Sequence, residues 1–418
     1  MSRYTYRITQ ALRATEYYAK TDMVYLTFGG FWLVVGQMAA AVTSFLFSIV
    51  VAHYVPQDVY GSYRYILSTT AIIAAISPTG LGTTIVRAVA NGNDSSLRQG
   101  FRRSLAWSMP MLAVFLCVAA YNAFFGAWGL ALTMLTAGIA TAVINAASLY
   151  QAYLAGKKKF YLYTLYWTVA NVVTTVAVTV TILLTTDVFY IAATYFVASA
   201  LINICLYIRI TASVPPGAKL DLPRSLPKKE DLHLSILNFL NTVTGQADKI
   251  IVFHLLGAAQ LAVYTFALAL PEQVRAVLKS GARLALPKFA ERPFEEIRGS
   301  LGDRLLRFGA LVILLTLCYI VLAPTIFSTL FPRYMQSVLF SQLFATTLFT
   351  ALGSLPLTAL QAHAKLRALY THSIITNVMQ ICSSVLLIYF FGLWGAAVSV
   401  LFNRVIGLII PLYLLRKA

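Results

Sequence analysis

Acidic residues are scarce in this chain. Its 418 residues include 14 aspartates and glutamates against 32 lysines and arginines, a formal charge of +18. Charge of either sign is also rare, at 11% of residues, whereas 59% are hydrophobic. Soluble domains carry about a quarter of their residues as charges, so this balance excludes an ordinary soluble domain. Cysteine is limited to Cys117, Cys205, Cys318 and Cys382, all within apolar runs. Their spacing offers neither a disulfide framework nor a metal site, and they read as inert core residues. HExxH, GxSxG and P-loop patterns are missing, which argues against an enzyme, a metal centre or a nucleotide cofactor. A cleavable signal peptide is not expected either, because the basic N-terminal tail leads into about 30 uncharged residues, too many for an h-region.

Long apolar runs dominate what remains. They cover approximately 24–54, 60–88, 105–125, 128–153, 160–184, 188–209, 233–256, 258–282, 308–330, 334–362, 367–390 and 393–415. A run of about 20 such residues spans a bilayer as a helix. Positive charge alternates along the loops. Arg3, Arg7, Arg13 and Lys20 precede the first run, and the next turn, near Val55 to Val59, has none. Arg98, Arg102 and Arg103 follow, then an uncharged turn at Phe125 to Trp128, then Lys157, Lys158 and Lys159. The alternation continues to Arg416 and Lys417, and only Arg64, Lys249, Arg275, Arg333 and Arg404 fall elsewhere. Cytoplasmic loops collect lysine and arginine, so both termini are expected in the cytoplasm. The charge of the chain thus reflects orientation and attraction to anionic lipids, with no nucleic-acid partner implied.

The expected fold is an all-α polytopic membrane protein of twelve transmembrane helices in two six-helix bundles. A cytoplasmic tail, 1–23, precedes the first bundle, 24–210. A connector, 211–232, contains Pro215, Pro216, Pro223 and Pro227, which favour extended chain. The second bundle occupies 233–418. Without gaps, IVVAHYVPQDVYGSYRYILS from Ile49 aligns with IIVFHLLGAAQLAVYTFALA from Ile250. His53 then pairs with His254, Tyr63 with Tyr264, Leu67 with Leu268 and Gln37 with Asn238. Each half starts on the same side and holds an even number of spans, which implies a pseudo-twofold axis along the membrane normal.

A charged group at mid-membrane costs about 2.5–3.5 kcal/mol on insertion scales and persists when it faces a cavity or a partner. In the seventh run, Asn238, Asn241, Gly245 and Asp248 recur at helical spacing as a polar stripe, with Lys249 beside it. Asp248 and Lys249 are adjacent and point about 100° apart, so neither is simply the other's partner. The eighth run carries Glu272, Arg275 and Lys279, with Pro271 set to bend the helix. Arg404 sits near the middle of the twelfth run with Asn403 beside it and no acid in that run, and Arg64 lies near the outer end of the second. Internal pairing, for example Glu272 with Arg275, is the alternative to function. His53 and His254 read as interfacial histidines rather than proton switches. The excess of cations suits an anionic substrate group such as phosphate, held by Arg64, Lys249, Arg275 and Arg404. Asp248 and Glu272 are candidates to exchange a proton or bind sodium during a transport cycle.

PTGLGTTIVR from Pro78, HYVPQDVYGSY from His53 and ADKIIVFHLLGAAQLAVY from Ala247 make the chain resemble polysaccharide flippases of the O-antigen type. These belong to the multidrug/oligosaccharidyl-lipid/polysaccharide exporter superfamily, and the resemblance spans the whole chain. It implies translocation of an undecaprenyl-diphosphate-linked oligosaccharide across a bacterial cytoplasmic membrane, by alternating access through a cationic lumen. Other partners expected are membrane lipids, a coupling proton or sodium ion at Asp248 or Glu272, and further polysaccharide assembly proteins. The lumen positions that match are Lys249 and Asp248. Ala262 departs from the glycine expected there, kept in the first half as Gly61, and looser helix packing is the expected result. Rival readings are a drug/cation antiporter of the same superfamily, which the buried cations disfavour, and a peptidoglycan-precursor flippase, which typically has two more spans. A membrane polysaccharide polymerase or ligase needs a sizeable outer loop, whereas every outer turn here is under about ten residues.

Overall fold

The computed structural model describes residues 23–77, 80–214, 229–283, 294–362 and 366–417. The basic tail before Met23, Pro78 of the first motif, the four connector prolines and Lys365 lie outside the described residues. Helices account for nearly all of the rest, and no strand occurs among the described residues. In chain order they are α1 (Met23–Tyr54), α2 (Gln57–Ala74), α3 (Gly80–Ala90), α4 (Ser96–Trp107), α5 (Met109–Phe124), α6 (Trp128–Ala147) and α7 (Leu149–Gly156). Then come α8 (Phe160–Leu184), α9 (Val188–Ala212), α10 (Lys229–Leu256), α11 (Ala258–Arg283), α12 (Phe294–Leu330), α13 (Ser337–Ala345), α14 (Thr350–Ala362) and α15 (Leu366–Lys417).

Nine stretches of these helices are long and apolar enough to cross a membrane. The last, Leu369–Leu414, makes two crossings. At Gly392 the backbone leaves helical geometry with φ 59° and ψ −134°, a conformation open to glycine. Beyond it the two arms run back along each other, with Asn403 Nδ2 donating to Ser383 Oγ at 2.8 Å. The two remaining crossings are α2 with α3, and α10. Helices α2 and α10 fall short on apolar character because they carry the polar residues discussed below, and α3 is apolar but short. The chain is therefore a multi-pass membrane protein of twelve transmembrane helices in two bundles.

Apolar side chains cover the outward faces. Phe124 is 86% exposed and Leu184 81%, which suits contact with lipid rather than water. Helix ends use local chemistry: Asp187 caps α9 by accepting a hydrogen bond from the Phe189 N–H at 2.8 Å. In the first half α6 packs between α5 and α9, and α8 lies against α1 and α9. In the second, α10 and α14 pack on α15, and α11 on α13 and α14.

The halves meet where α2 lies against α10 and α11. At the end bearing the short, charge-poor turns this seam is tight. A Cβ on Gly61 would lie 1.8 Å from the Ala258 carbonyl oxygen, so only glycine allows the approach. Ala262 is fully buried in the same core, together with Tyr60, Tyr63, Phe266, Phe331 and Tyr334. The packing there is close in spite of the departure from glycine.

Some expected boundaries move. The second run is broken between Ala74 and Gly80. The tenth is interrupted by a 3-10 turn at Thr346–Phe349. Helix α9 continues to Ala212 and α10 begins at Lys229, so helix claims both ends of the expected connector.

Candidate functional site

A cavity of about 430 Å³ lies between the halves. All six charged residues singled out from the sequence line it: Arg64, Asp248, Lys249, Glu272, Arg275 and Arg404. They converge from four elements. Arg64 comes from the middle of α2, Asp248 and Lys249 from α10, Glu272 and Arg275 from α11, and Arg404 from the second arm of α15. The cavity falls within the size range of ligand pockets, about 300–1,000 Å³.

The wall also carries the internal repeat. The offset that pairs His53 with His254 pairs Ser44 with Gly245, Phe47 with Asp248, Ser48 with Lys249 and Arg64 with Thr265. All eight residues line the cavity. Positions matched in the sequence thus meet at one cavity, but the chemistry is lopsided. Five of the six charges belong to the second half.

The two carboxylates differ in their company. Asp248 is 8% exposed. Its Oδ2 accepts a 2.5 Å hydrogen bond from the Tyr264 hydroxyl, and its Oδ1 accepts from the Lys249 main-chain N–H at 2.9 Å. Lys249 turns away from it: Nζ donates to Gln246 Oε1 at 2.7 Å and to the Gly245 carbonyl at 3.5 Å. Glu272 instead joins two guanidiniums. Arg404 Nη2 donates to its Oε1 at 2.9 Å, and Arg275 Nη2 donates to its Oε2. The Glu272–Arg275 pair legible from helical spacing forms, and Arg404 finds on α11 the acid its own run lacks.

Donors are left over. Arg64 Nε and Arg275 Nη1 are buried with no hydrogen-bond partner among the described residues. Four cations set against two carboxylates leave a formal excess of two positive charges. In a low-dielectric cavity such an excess attracts a compact polyanion. Gln380, Gln273 and Asn403 add neutral polar groups to the wall. Sequence reading missed the two glutamines, and it missed Tyr264 as the partner of Asp248. An amide within an apolar run was the available signal for Gln380.

One end of the cavity is sealed. Tyr60 packs on Phe266 at 5.0 Å between ring centroids, and Phe266 stacks on Tyr334 at 3.8 Å. All three rings are neutral and buried, so this plug is uncharged. Above it, Gln57 Nε2 donates to the Arg333 carbonyl at 2.7 Å and Gln336 Nε2 donates to Gln57 Oε1 at 3.0 Å. These bonds tie charge-poor turns of the two halves together. Towards the basic loops the wall is open: Gly245 lines the cavity and is exposed, as is Asn241 one turn further along α10.

Comparison with known proteins places this geometry. A family model described as polysaccharide biosynthesis protein matches residues 26–286. No curated protein matches the chain significantly. Among solved structures, a multidrug resistance MATE family transporter of the MOP superfamily in its inward-facing conformation aligns with a TM-score of 0.69 at 14% identity, covering 92% of this chain and 97% of that one. The outward-facing conformation of a MATE transporter aligns at 0.58 and 13% identity, covering 93% and 94%. A MOP superfamily transporter from Pyrococcus furiosus, described as having a binding pocket of reverse polarity that suggests a different function, aligns at 0.63 and 13% identity, covering 93% and 95%. The fold is thus the one seen in these MATE and MOP superfamily transporters.

Proposed function

The chain belongs to the polysaccharide biosynthesis protein family, and from that membership we propose that it is a flippase for an undecaprenyl-diphosphate-linked oligosaccharide repeat unit. It carries that unit from the inner to the outer leaflet of a bacterial cytoplasmic membrane, as in O-antigen assembly. The observation that supports this reading is the cavity between the halves, with its formal excess of two positive charges. A diphosphate supplies the matching charge, and guanidiniums bind phosphate oxygens through paired N–H donors. A cationic drug has no counter-charge to gain there, which disfavours antiport of that class. The reverse polarity of the pocket in the Pyrococcus furiosus transporter indicates that pocket charge varies within this fold.

In this proposal Arg64, Lys249, Arg275 and Arg404 hold the diphosphate. The glycan passes through the lumen while the lipid tail stays in the bilayer. The basic end is cytoplasmic, as the distribution of lysine and arginine favours. The sealed charge-poor end and the open basic end then correspond to an inward-facing state. The higher TM-score against the inward-facing relative agrees with that. A coupling proton or sodium ion acts at Asp248 or Glu272. Of the two, Asp248 is favoured, because it faces the cavity without engaging a guanidinium. Anionic lipids at the basic end and other polysaccharide assembly proteins complete the expected partners.

The test is surface polysaccharide in a strain lacking its own flippase. Lys249→Ala with Arg404→Ala should cut surface glycan at least tenfold, on the order of the energy of one or two charge-assisted contacts. Arg404→Lys should keep part of the function. Wild-type glycan from the doubly neutralised protein, at normal membrane levels, would sink the cationic-cavity reading.

A further inference from the structure

Glu272 is an unexpected neighbour in a cavity that receives an anion. Its two oxygens are each committed to a different guanidinium, Arg404 on the second arm of α15 and Arg275 one turn along α11. A carboxylate joining two guanidiniums presents them with what a phosphate presents: two oxygens and a negative charge. Asp248 lines the same cavity and behaves differently, being satisfied by a phenol and a main-chain N–H. Glu272 is thus the acid that occupies anion-binding groups. Those groups have capacity to spare, since Arg275 Nη1 is buried without a partner among the described residues.

Resting on the diphosphate reading above, we propose that Glu272 is a tethered counter-anion, which holds Arg275 and Arg404 in the unloaded cavity and is displaced by the diphosphate of the substrate. The physical basis is competition. Two guanidiniums without a counter-charge are costly in a membrane interior, and Glu272 removes that cost while no substrate is bound. An arriving anion must then replace it. A singly charged anion exchanges one carboxylate for one equivalent and gains little. A diphosphate carries enough charge to take over both guanidiniums and reach Arg64 or Lys249 as well. Glu272 therefore selects for multivalent phosphate, because a competitor for the site disfavours weak ligands more than strong ones. Its return to the guanidiniums also favours release, so that tight capture does not stall transport.

The purified full-length protein in zwitterionic nanodiscs, titrated with inorganic pyrophosphate at fixed ionic strength, tests this. Glu272→Gln should bind pyrophosphate about tenfold more tightly than wild type. It should also gain affinity for acetate, so that discrimination between acetate and pyrophosphate narrows. Arg404→Gln should weaken pyrophosphate binding in either background. Glu272→Asp, which keeps the charge on a shorter arm, should fall between wild type and Glu272→Gln and serves if the amide variant does not fold. Equal or weaker pyrophosphate binding by Glu272→Gln, with binding still lost in Arg404→Gln, would overturn the counter-anion and leave the cationic cavity standing. Binding that is indifferent to both substitutions would overturn the cavity reading itself. A parallel series with phosphatidylglycerol separates the sources of phosphate. If that lipid alone abolishes the difference between wild type and Glu272→Gln, the displacing group is a membrane headgroup and the proposal fails.

Discussion

The first half of this protein and the second share a layout and differ in chemistry. At matched positions around the cavity the first half offers Ser44, Phe47 and Ser48, where the second offers Gly245, Asp248 and Lys249. The first half contributes one charge, Arg64. The second contributes the other five and pairs most of them internally. The seam is uneven as well, with Gly61 in van der Waals approach to the second half while its mate, Ala262, is already an alanine packed into the core. One half is thus a mostly uncharged wall and the other the bearer of charge. On the transport reading proposed above, this asymmetry assigns recognition of the cargo mainly to the second half.

The seam gives the sharpest way to break the comparison. Gly61→Leu places a side chain where its Cβ alone would sit 1.8 Å from a main-chain oxygen, and main chain cannot rotate aside. Closure of the charge-poor end should fail, and surface glycan should be abolished at normal protein levels. Ala262→Gly, at the mated position, should leave at least half of the activity, because deleting one methyl costs on the order of 1 kcal/mol. Equal tolerance of both changes would show that the seam is not closed in the working cycle.

Much of this architecture is legible in the sequence. Apolar run length and loop charge give the crossings, and the cost of a buried charge points to all six residues found around one cavity. Periodicity tells which face of a helix a residue occupies, but not which helix lies opposite. In lipid the apolar stripe that would normally reveal that neighbour is lost, since outward faces are apolar too. Hence Arg404 reads in sequence as an unpaired cation, although its acid lies on α11. Tyr264 stands out as the echo of Tyr63 but not as the donor to Asp248. The break after Ala74 falls at Ser77, Pro78, Thr79 and Gly80, and the 3-10 turn at Thr346–Phe349 carries two threonines, so residue chemistry marks both places, but too few residues are involved to interrupt a run read over about 20 positions.

A charge transplant tests whether the axis is functional or only ancestral. Lys249→Ser should cost most of the transport, by roughly the energy of one charge-assisted phosphate contact, about 1.5–3 kcal/mol. Adding Ser48→Lys returns an ammonium to the mated position on the opposite wall of the same cavity. If the excess charge matters more than its address, the double variant should recover a measurable part of surface glycan relative to Lys249→Ser alone. No recovery, with the double variant inserted normally, would confine phosphate recognition to the second half.

The smallest effect contrasts the mated tyrosines. Both Tyr63 and Tyr264 are buried, at 4% and 1% exposure, so burial alone does not distinguish them. Tyr264 donates to Asp248 Oδ2 at 2.5 Å, whereas the Tyr63 ring sits edge-on to Tyr195. Removing the Tyr264 hydroxyl strips a buried carboxylate of its side-chain donor, a loss of about 1–3 kcal/mol. Removing the Tyr63 hydroxyl strips no acid and should change stability by less than about 1 kcal/mol. Thermal unfolding of Tyr264→Phe and Tyr63→Phe in the same detergent measures the difference. Adding Asp248→Asn to Tyr264→Phe should restore part of the lost stability, because the remaining amide carries no charge to satisfy. An equal, small shift for both tyrosines, unaffected by Asp248→Asn, would mean that the Tyr264–Asp248 contact contributes nothing and that the second half is not specialised at this position.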